Sequence, residues 1–252
     1  MAGAVILKSK NILVSGRSPI ALGDALHLNA SRAVKHESVV SLADYLKPSR
    51  VFSPMTGHEI TQIPASPGIA MVDGFAELDF QKGAGLAAAY DDLNNAREVT
   101  VYLVFRADLS KADANGVIFR WMAKYTGAGA TDKGFILRKY ASAASIQWLV
   151  DGGANTTSMS QVFAKSGYIV ACVGWSVANN IAFFNINGTE VSNTMTFSPP
   201  EGGGLMSFGY SPDYADQRCP MGLRTVLGYG AYHDATTRGA MVQQLMSENN
   251  IS

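Results

Sequence analysis

The sequence predicts an all-β protein, a two-sheet antiparallel sandwich with a short C-terminal helix. Three observations carry that prediction. Apolar runs of strand length recur from Met71 onward, turn-forming dipeptides separate several of them, and apolar residues at helical spacing are confined to the last segment. The clearest stretch is Tyr168–Gly209, where the runs Tyr168–Trp175, Ile181–Ile186 and Leu205–Gly209 are joined by turn clusters. Within it Asn187-Gly188 is the strongest local signal. A two-residue type I′ turn needs φ > 0 at both central positions, and Asn and Gly tolerate this best. Ile181–Ile186 and Thr189–Ser192 are therefore expected to pair as a hairpin.

The remaining elements follow in order. Residues 1–65 read as an N-terminal arm that packs on the body, and residues 66–252 as the sandwich domain. In the arm, Asn11–Ser15 is a candidate strand and Ser41–Leu46 a candidate helical turn ended by Pro48. Gly74–Phe80 alternates, with Phe75, Glu77 and Asp79 on one face and Ala76, Leu78 and Phe80 on the other. Gly83–Asn95 is rich in Gly and Ala and suggests a short helix. Thr100–Arg106 is apolar on both faces, as a strand covered on each side would be. Asn115-Gly116 and Asp151-Gly152 are further turn signals, and Val117–Met122, Phe135–Tyr140 and Ile146–Val150 are strands. The three dipeptides fall 36 residues apart, but the segments between them do not match, so no repeat is inferred. A last strand is expected over Leu223–Tyr232. The terminal helix then starts from Thr236 as N-cap and presents Met241, Val242, Leu245 and Met246 on one face.

Composition excludes several classes. Hydrophobic residues make up 47% of the 252 and charged residues 16%, which suits a globular chain. Lys plus Arg equals Asp plus Glu at 20 each, so no overall positive field exists to hold nucleic acid. Residues 1–50 carry a mild excess of four positive charges, read as a solvated face. No apolar run approaches the roughly 18–20 residues of a membrane span, and Ala2–Leu7 is too short for a secretory core, so neither insertion nor export is expected. Cys172 and Cys219 are expected to be reduced, Cys172 as a small hydrophobe within a strand.

At this point the order of the segments resembles a known family. GFAELDF, VTVYLVFRAD, NGVIFRW, GFILRKY, IVACVGWS, FFNINGTEV and LMSFG, closed by YGAYHDATTRGAMVQQLM, make residues 70–250 similar to the concanavalin A-like lectin/glucanase superfamily, especially its laminin-G-like modules. The resemblance implies a jelly roll with binding loops on its rim or concave face, and allows a rim calcium, although no ligand set here fixes one. The arm and the absent export signal are also similar to laminin-G-like modules of bacteriophage virion proteins. That implies a virion location, or a cytoplasmic one otherwise. The partners it implies are a surface glycan or neighbouring virion subunits, with a homo-oligomer left open.

Retaining glucanases of the superfamily place carboxylates at i, i+2 and i+4 of one strand. Here those positions are Glu77, Asp79 and Gln81, and an amide cannot shuttle the proton, so no catalytic residue is assigned. The four histidines are not spaced for zinc, and neither a nucleophile elbow nor a phosphate-cradling loop is present. The ligand-binding candidates are Tyr210, Asp213, Tyr214 and Asp216, where aromatics able to stack on a sugar interleave with carboxylates able to accept its hydroxyls or ligate calcium. Tyr125 and Asp132 form a second candidate loop, while Trp121, Trp148 and Trp175 read as core. The expected function is a non-catalytic binding or structural module. A glycoside hydrolase of the same superfamily and a purely architectural cementing subunit are the alternatives.

Overall fold

A computed structural model describes residues 26–29, 68–80, 84–89, 96–110, 112–123, 134–140, 145–151, 156–162, 167–195, 204–211 and 216–252. The candidate strand at Asn11–Ser15, the helical turn at Ser41–Leu46 and most of the arm lie outside them. In chain order the strands are β1 (Leu26–Asn29), β2 (Gly68–Val72), β3 (Phe75–Phe80), β4 (Leu86–Ala89) and β5 (Glu98–Ala107). Then come β6 (Val117–Ala123), β7 (Gly134–Lys139), β8 (Ser145–Asp151), β9 (Thr156–Val162) and β10 (Tyr168–Ser176). The last are β11 (Ile181–Ile186), β12 (Thr189–Thr194), β13 (Gly204–Phe208) and β14 (Met221–Tyr229), followed by the helix α1 (Ala235–Glu248).

The strands form two antiparallel sheets in a jelly-roll sandwich, as expected. The larger runs β12-β11-β10-β5-β14-β3-β2, with β1 paired to β14 off that path, and the smaller runs β4-β13-β6-β7-β8-β9. β5 lies between β10 and β14 and is buried along almost its whole length, which explains its apolar character on both faces. Asn187 and Gly188 take φ of 49° and 92°, and Ile186 pairs with Thr189 across them, so this corner joins adjacent strands as the type I′ argument requires.

Period-two alternation sorts the side chains into two cores. Leu78, Phe80, Val101, Leu103, Phe105, Trp121, Trp148 and Trp175 fill the space between the sheets. The three tryptophans are at most 1% exposed. Fully burying a large apolar side chain contributes roughly 1.5–3 kcal/mol, so this layer dominates stability. The second core lies on the outer face of the larger sheet, where Tyr102, Val104, Val170, Cys172, Phe183 and Leu227 meet Met241, Val242 and Leu245 of α1. Cys172 and Cys219 belong to different cores and are both free and buried.

α1 is fixed by more than its apolar stripe. Arg238 is 1% exposed and lies over the Phe183 ring, 3.9 Å from its centre. It donates to both carboxylate oxygens of Glu190 on β12 and to the His233 carbonyl. His233 in turn shares a 2.7 Å hydrogen bond between its Nδ1 and the Tyr102 hydroxyl.

Several expectations are corrected. Leu86–Ala89 is a strand and not a helix, because β13 offers an edge that satisfies its backbone, and that pairing overrides the weak helix preference of alanine. The helix N-cap is Asp234, whose carboxylate accepts from the Thr237 N–H, and Thr236 falls inside the first turn. β14 ends at Tyr229, before the expected Tyr232. β9 is a strand that the pattern did not reveal, since its sequence is mostly polar and Met159 is buried between the exposed Ser158 and Ser160.

Candidate functional site

The loop residues singled out from sequence separate in the structure. Tyr210 is 3% exposed, with its ring packed over Gly85, so it closes the core edge and presents no stacking face to solvent. Asp216 is exposed. Asp213, Tyr214, Tyr125 and Asp132 lie outside the described residues, as does Gln81. Among the described residues no group of three or more His, Cys, Asp or Glu is placed to hold a metal ion. Within the same limits no helix is long and apolar enough to cross a membrane.

The structure concentrates its polar chemistry elsewhere, on the outer face of the larger sheet beside the end of α1. Four strands build it. Phe75 and Glu77 share one face of β3. Antiparallel pairing sets Gly222 of β14 and Tyr168 of β10 on either side of Arg106 of β5. β14 carries a register shift between Leu223 and Thr225. Leu223 and Val226 both enter the inner core, so the inserted residue at this bulge leaves Arg224 available to the opposite face.

Glu77 is the anchor. It is wholly buried, accepts a 2.6 Å hydrogen bond from Nη2 of Arg106, and accepts another from the Tyr168 hydroxyl. Gly222 makes room for it, since a Cβ at that position would overlap the Glu77 carboxylate. Burial, followed by the Glu77 hydrogen bond and charge, pushes the Tyr168 phenol up to about 12, so it stays protonated and donates. Burial opposes the charge of Arg106, but its bonds to Glu77 and Tyr168 outweigh this and raise its value. Glu77 is therefore committed to holding the sheet face together, and is not an open carboxylate awaiting a glycosidic bond.

Arg224 lies beside this network. It is 2% exposed, its guanidinium carbon stands 3.2 Å from the centre of the Tyr168 ring and 4.4 Å from that of Phe75. It donates to the Val72 carbonyl at 3.2 Å and more weakly to the Asn249 carbonyl at 3.4 Å. Its Nε is buried and has no hydrogen-bond partner among the described residues. Burial pulls its value below the ordinary one, although Tyr168, Glu77 and Asp73 work the other way.

Arg224, Tyr168 and Phe75 line a pocket of about 410 Å³ together with Asp73, Asn187 and the segment Asn249–Ser252. The pocket is small, part aromatic and part polar, and it offers amide, carboxylate and guanidinium groups at once. That mixture suits a hydroxylated ring, whose faces are apolar and whose rim is polar. Sequence reasoning missed it because its members come from three strands, two turns and the C-terminal segment. One local signal existed: Arg224-Thr225 places two polar residues in succession inside an apolar strand, which is how a bulge reads in sequence.

No family model matches the chain, and no curated protein matches it. Solved structures do. The botulinum neurotoxin serotype D binding domain superposes with a TM-score of 0.55 at 9% identity, covering 79% of this chain and 49% of that one. The binding domain of botulinum neurotoxin DC in complex with SialylT gives 0.50 at 7% identity, over 72% and 45%. NanB plus Optactamide gives 0.53 at 13% identity, over 70% and 28%. This chain thus spans less than half the length of each, and at such identities the likeness is one of fold: a two-sheet β-sandwich of the kind found in these binding domains.

Proposed function

We propose that the protein is a non-catalytic carbohydrate-binding module that receives a sugar in the Arg224 pocket. The observation that carries this reading is the pocket itself, in which Tyr168, Phe75 and three Asn residues surround a buried guanidinium on one sheet face. The fold neighbours support it, one of them being a binding domain in complex with SialylT. The glycoside hydrolase alternative is disfavoured, because Glu77 is bound by Arg106 and Tyr168 and the third position of the strand pattern is Gln81. In its finer form the proposal assigns the module to a phage-type virion, where it contacts a surface glycan or neighbouring subunits. The family resemblance of the segment order is what supports that form.

A glycan array followed by calorimetry tests the reading. Binding to at least one glycan class is expected, with loss of about tenfold or more in Tyr168→Ala, given that aromatic anchors are worth above 1 kcal/mol in such sites. A folded protein that binds nothing on the array overturns it. Release of reducing sugar that Glu77→Gln abolishes would restore the hydrolase.

A further inference from the structure

Resting on the reading of the pocket as a sugar site, we infer that its ligand is an acidic saccharide whose carboxylate is received by Arg224. A buried guanidinium is tolerated when an anion or a full set of acceptors compensates it. Among the described residues, no carboxylate is hydrogen-bonded to Arg224. Within the same limits its acceptors are two neutral carbonyl oxygens, of Val72 and Asn249, and its Nε has none. Two carboxylates act on Arg224 as charges: Glu77, whose oxygens are taken by Arg106 and Tyr168, and Asp73, which is exposed to solvent. Arg224 therefore keeps its charge, as arginine does even when buried, and has an unused donor at its buried Nε, while the residue lines a cavity large enough for one sugar residue.

Several features make a carboxylate the fitting anion. A planar guanidinium pairs with a planar carboxylate through two parallel N–H donors, a geometry that a lone point charge does not impose. The guanidinium already lies over the Tyr168 and Phe75 rings, so little ordering is left for the ligand to supply. The Asn187 and Asn250 side chains beside it suit the remaining hydroxyls. Asp73, exposed at the rim, works in the opposite direction by repelling an anion, and that makes it a handle on the inference. Asp73 adopts φ of 51°, a conformation asparagine also accepts, so Asp73→Asn removes the charge without straining the turn.

The experiment is titration calorimetry of the full chain with sialyllactose and with a hexuronate-containing disaccharide, against lactose and maltose as neutral controls. The arms are the unmodified protein, Asp73→Asn, Arg224→Lys and Arg224→Gln. The expected result is binding of at least one acidic sugar at least about tenfold tighter than the neutral ones. Asp73→Asn should tighten it about two- to fivefold, with the gain disappearing at high salt. Arg224→Lys, which keeps the charge but loses the planar fork, should weaken it, and Arg224→Gln should abolish it. Equal affinity for acidic and neutral sugars overturns the inference and leaves the carbohydrate-binding reading standing. So does acidic-sugar binding that is indifferent to Asp73→Asn, which is expected to fold even if the Arg224 variants do not. Failure of every sugar on a broad array removes the underlying reading itself.

Discussion

The outer face of the larger sheet carries two buried arginines, and their surroundings differ in one respect. Arg238 and Arg224 are 1% and 2% exposed, and each lies over an aromatic ring. Arg238 is answered within the chain: Glu190 accepts from its Nε and Nη2, and the His233 carbonyl accepts from Nη1. Arg224 meets neutral carbonyl oxygens at 3.2 and 3.4 Å and borders a pocket. The first arginine is part of the fold, because it rivets α1 to β12. The second is a charge for which the described residues supply position but no hydrogen-bonded carboxylate. Burial of an arginine thus does not by itself mark a site. What separates the two, among the described residues, is whether a carboxylate is hydrogen-bonded to the guanidinium.

The largest effect that would sharpen this contrast is at Glu190. Glu190→Gln leaves Arg238 buried without its carboxylate and should cost about 3 kcal/mol in urea unfolding, since breaking a buried pair strands the remaining charge. A loss under about 0.5 kcal/mol would erase the distinction. Next is Gly222→Ala, whose methyl must displace the Glu77 carboxylate from Arg106 and Tyr168. A loss of about 1–3 kcal/mol is expected, together with disrupted sugar binding.

His233 gives a pH test of the riveted half. Burial, then the Arg238 charge, lowers its pKa, while Asp234 opposes the shift. The ordinary value is about 6.5, so below that pH the unfolded chain takes up a proton that the folded chain resists, and stability falls as pH drops. From about one pH unit above that value both states are neutral at this residue and it contributes no pH dependence. His233→Gln should flatten the unfolding midpoint between about pH 6.5 and 5, and an unchanged slope would show that the imidazole is not responsible.

The smallest effect is expected at Arg224. Exchanging a buried cation that lacks a carboxylate partner for an unbranched apolar chain, Arg224→Met, should change stability by less than about 1 kcal/mol in either direction while removing binding. A loss near that of Glu190→Gln would mean that Arg224 is structural too, and the contrast would collapse.

The legibility of the sequence follows the same division. The inner core could be read, because period-two alternation and the Asn187-Gly188 corner are local: Leu78 and Phe80 face inward, Glu77 outward, and the hairpin closes where expected. β9 could not be read, since Ser158 and Ser160 face solvent along an edge and its two apolar residues, Met159 and Val162, do not alternate. Nor could Leu86–Ala89, whose state is decided by the neighbour it pairs with. The pocket was less legible still, as no two of Phe75, Tyr168, Asn187 and Arg224 are within ten residues of one another. Tyr210 shows the converse error: an aromatic in a polar loop suggests recognition, yet it fills the edge of the core.

The Asn187-Gly188 corner holds one further consequence. Asn187 accepts from the Val170 N–H through its side chain while also forming a wall of the pocket. The part that tells two strands how to align is thereby also the part that shapes what is recognised. Changing the specificity of this molecule through that wall would carry a folding penalty, so new preferences should arise more readily at the opposite rim, around Asp73, where the architecture has less at stake.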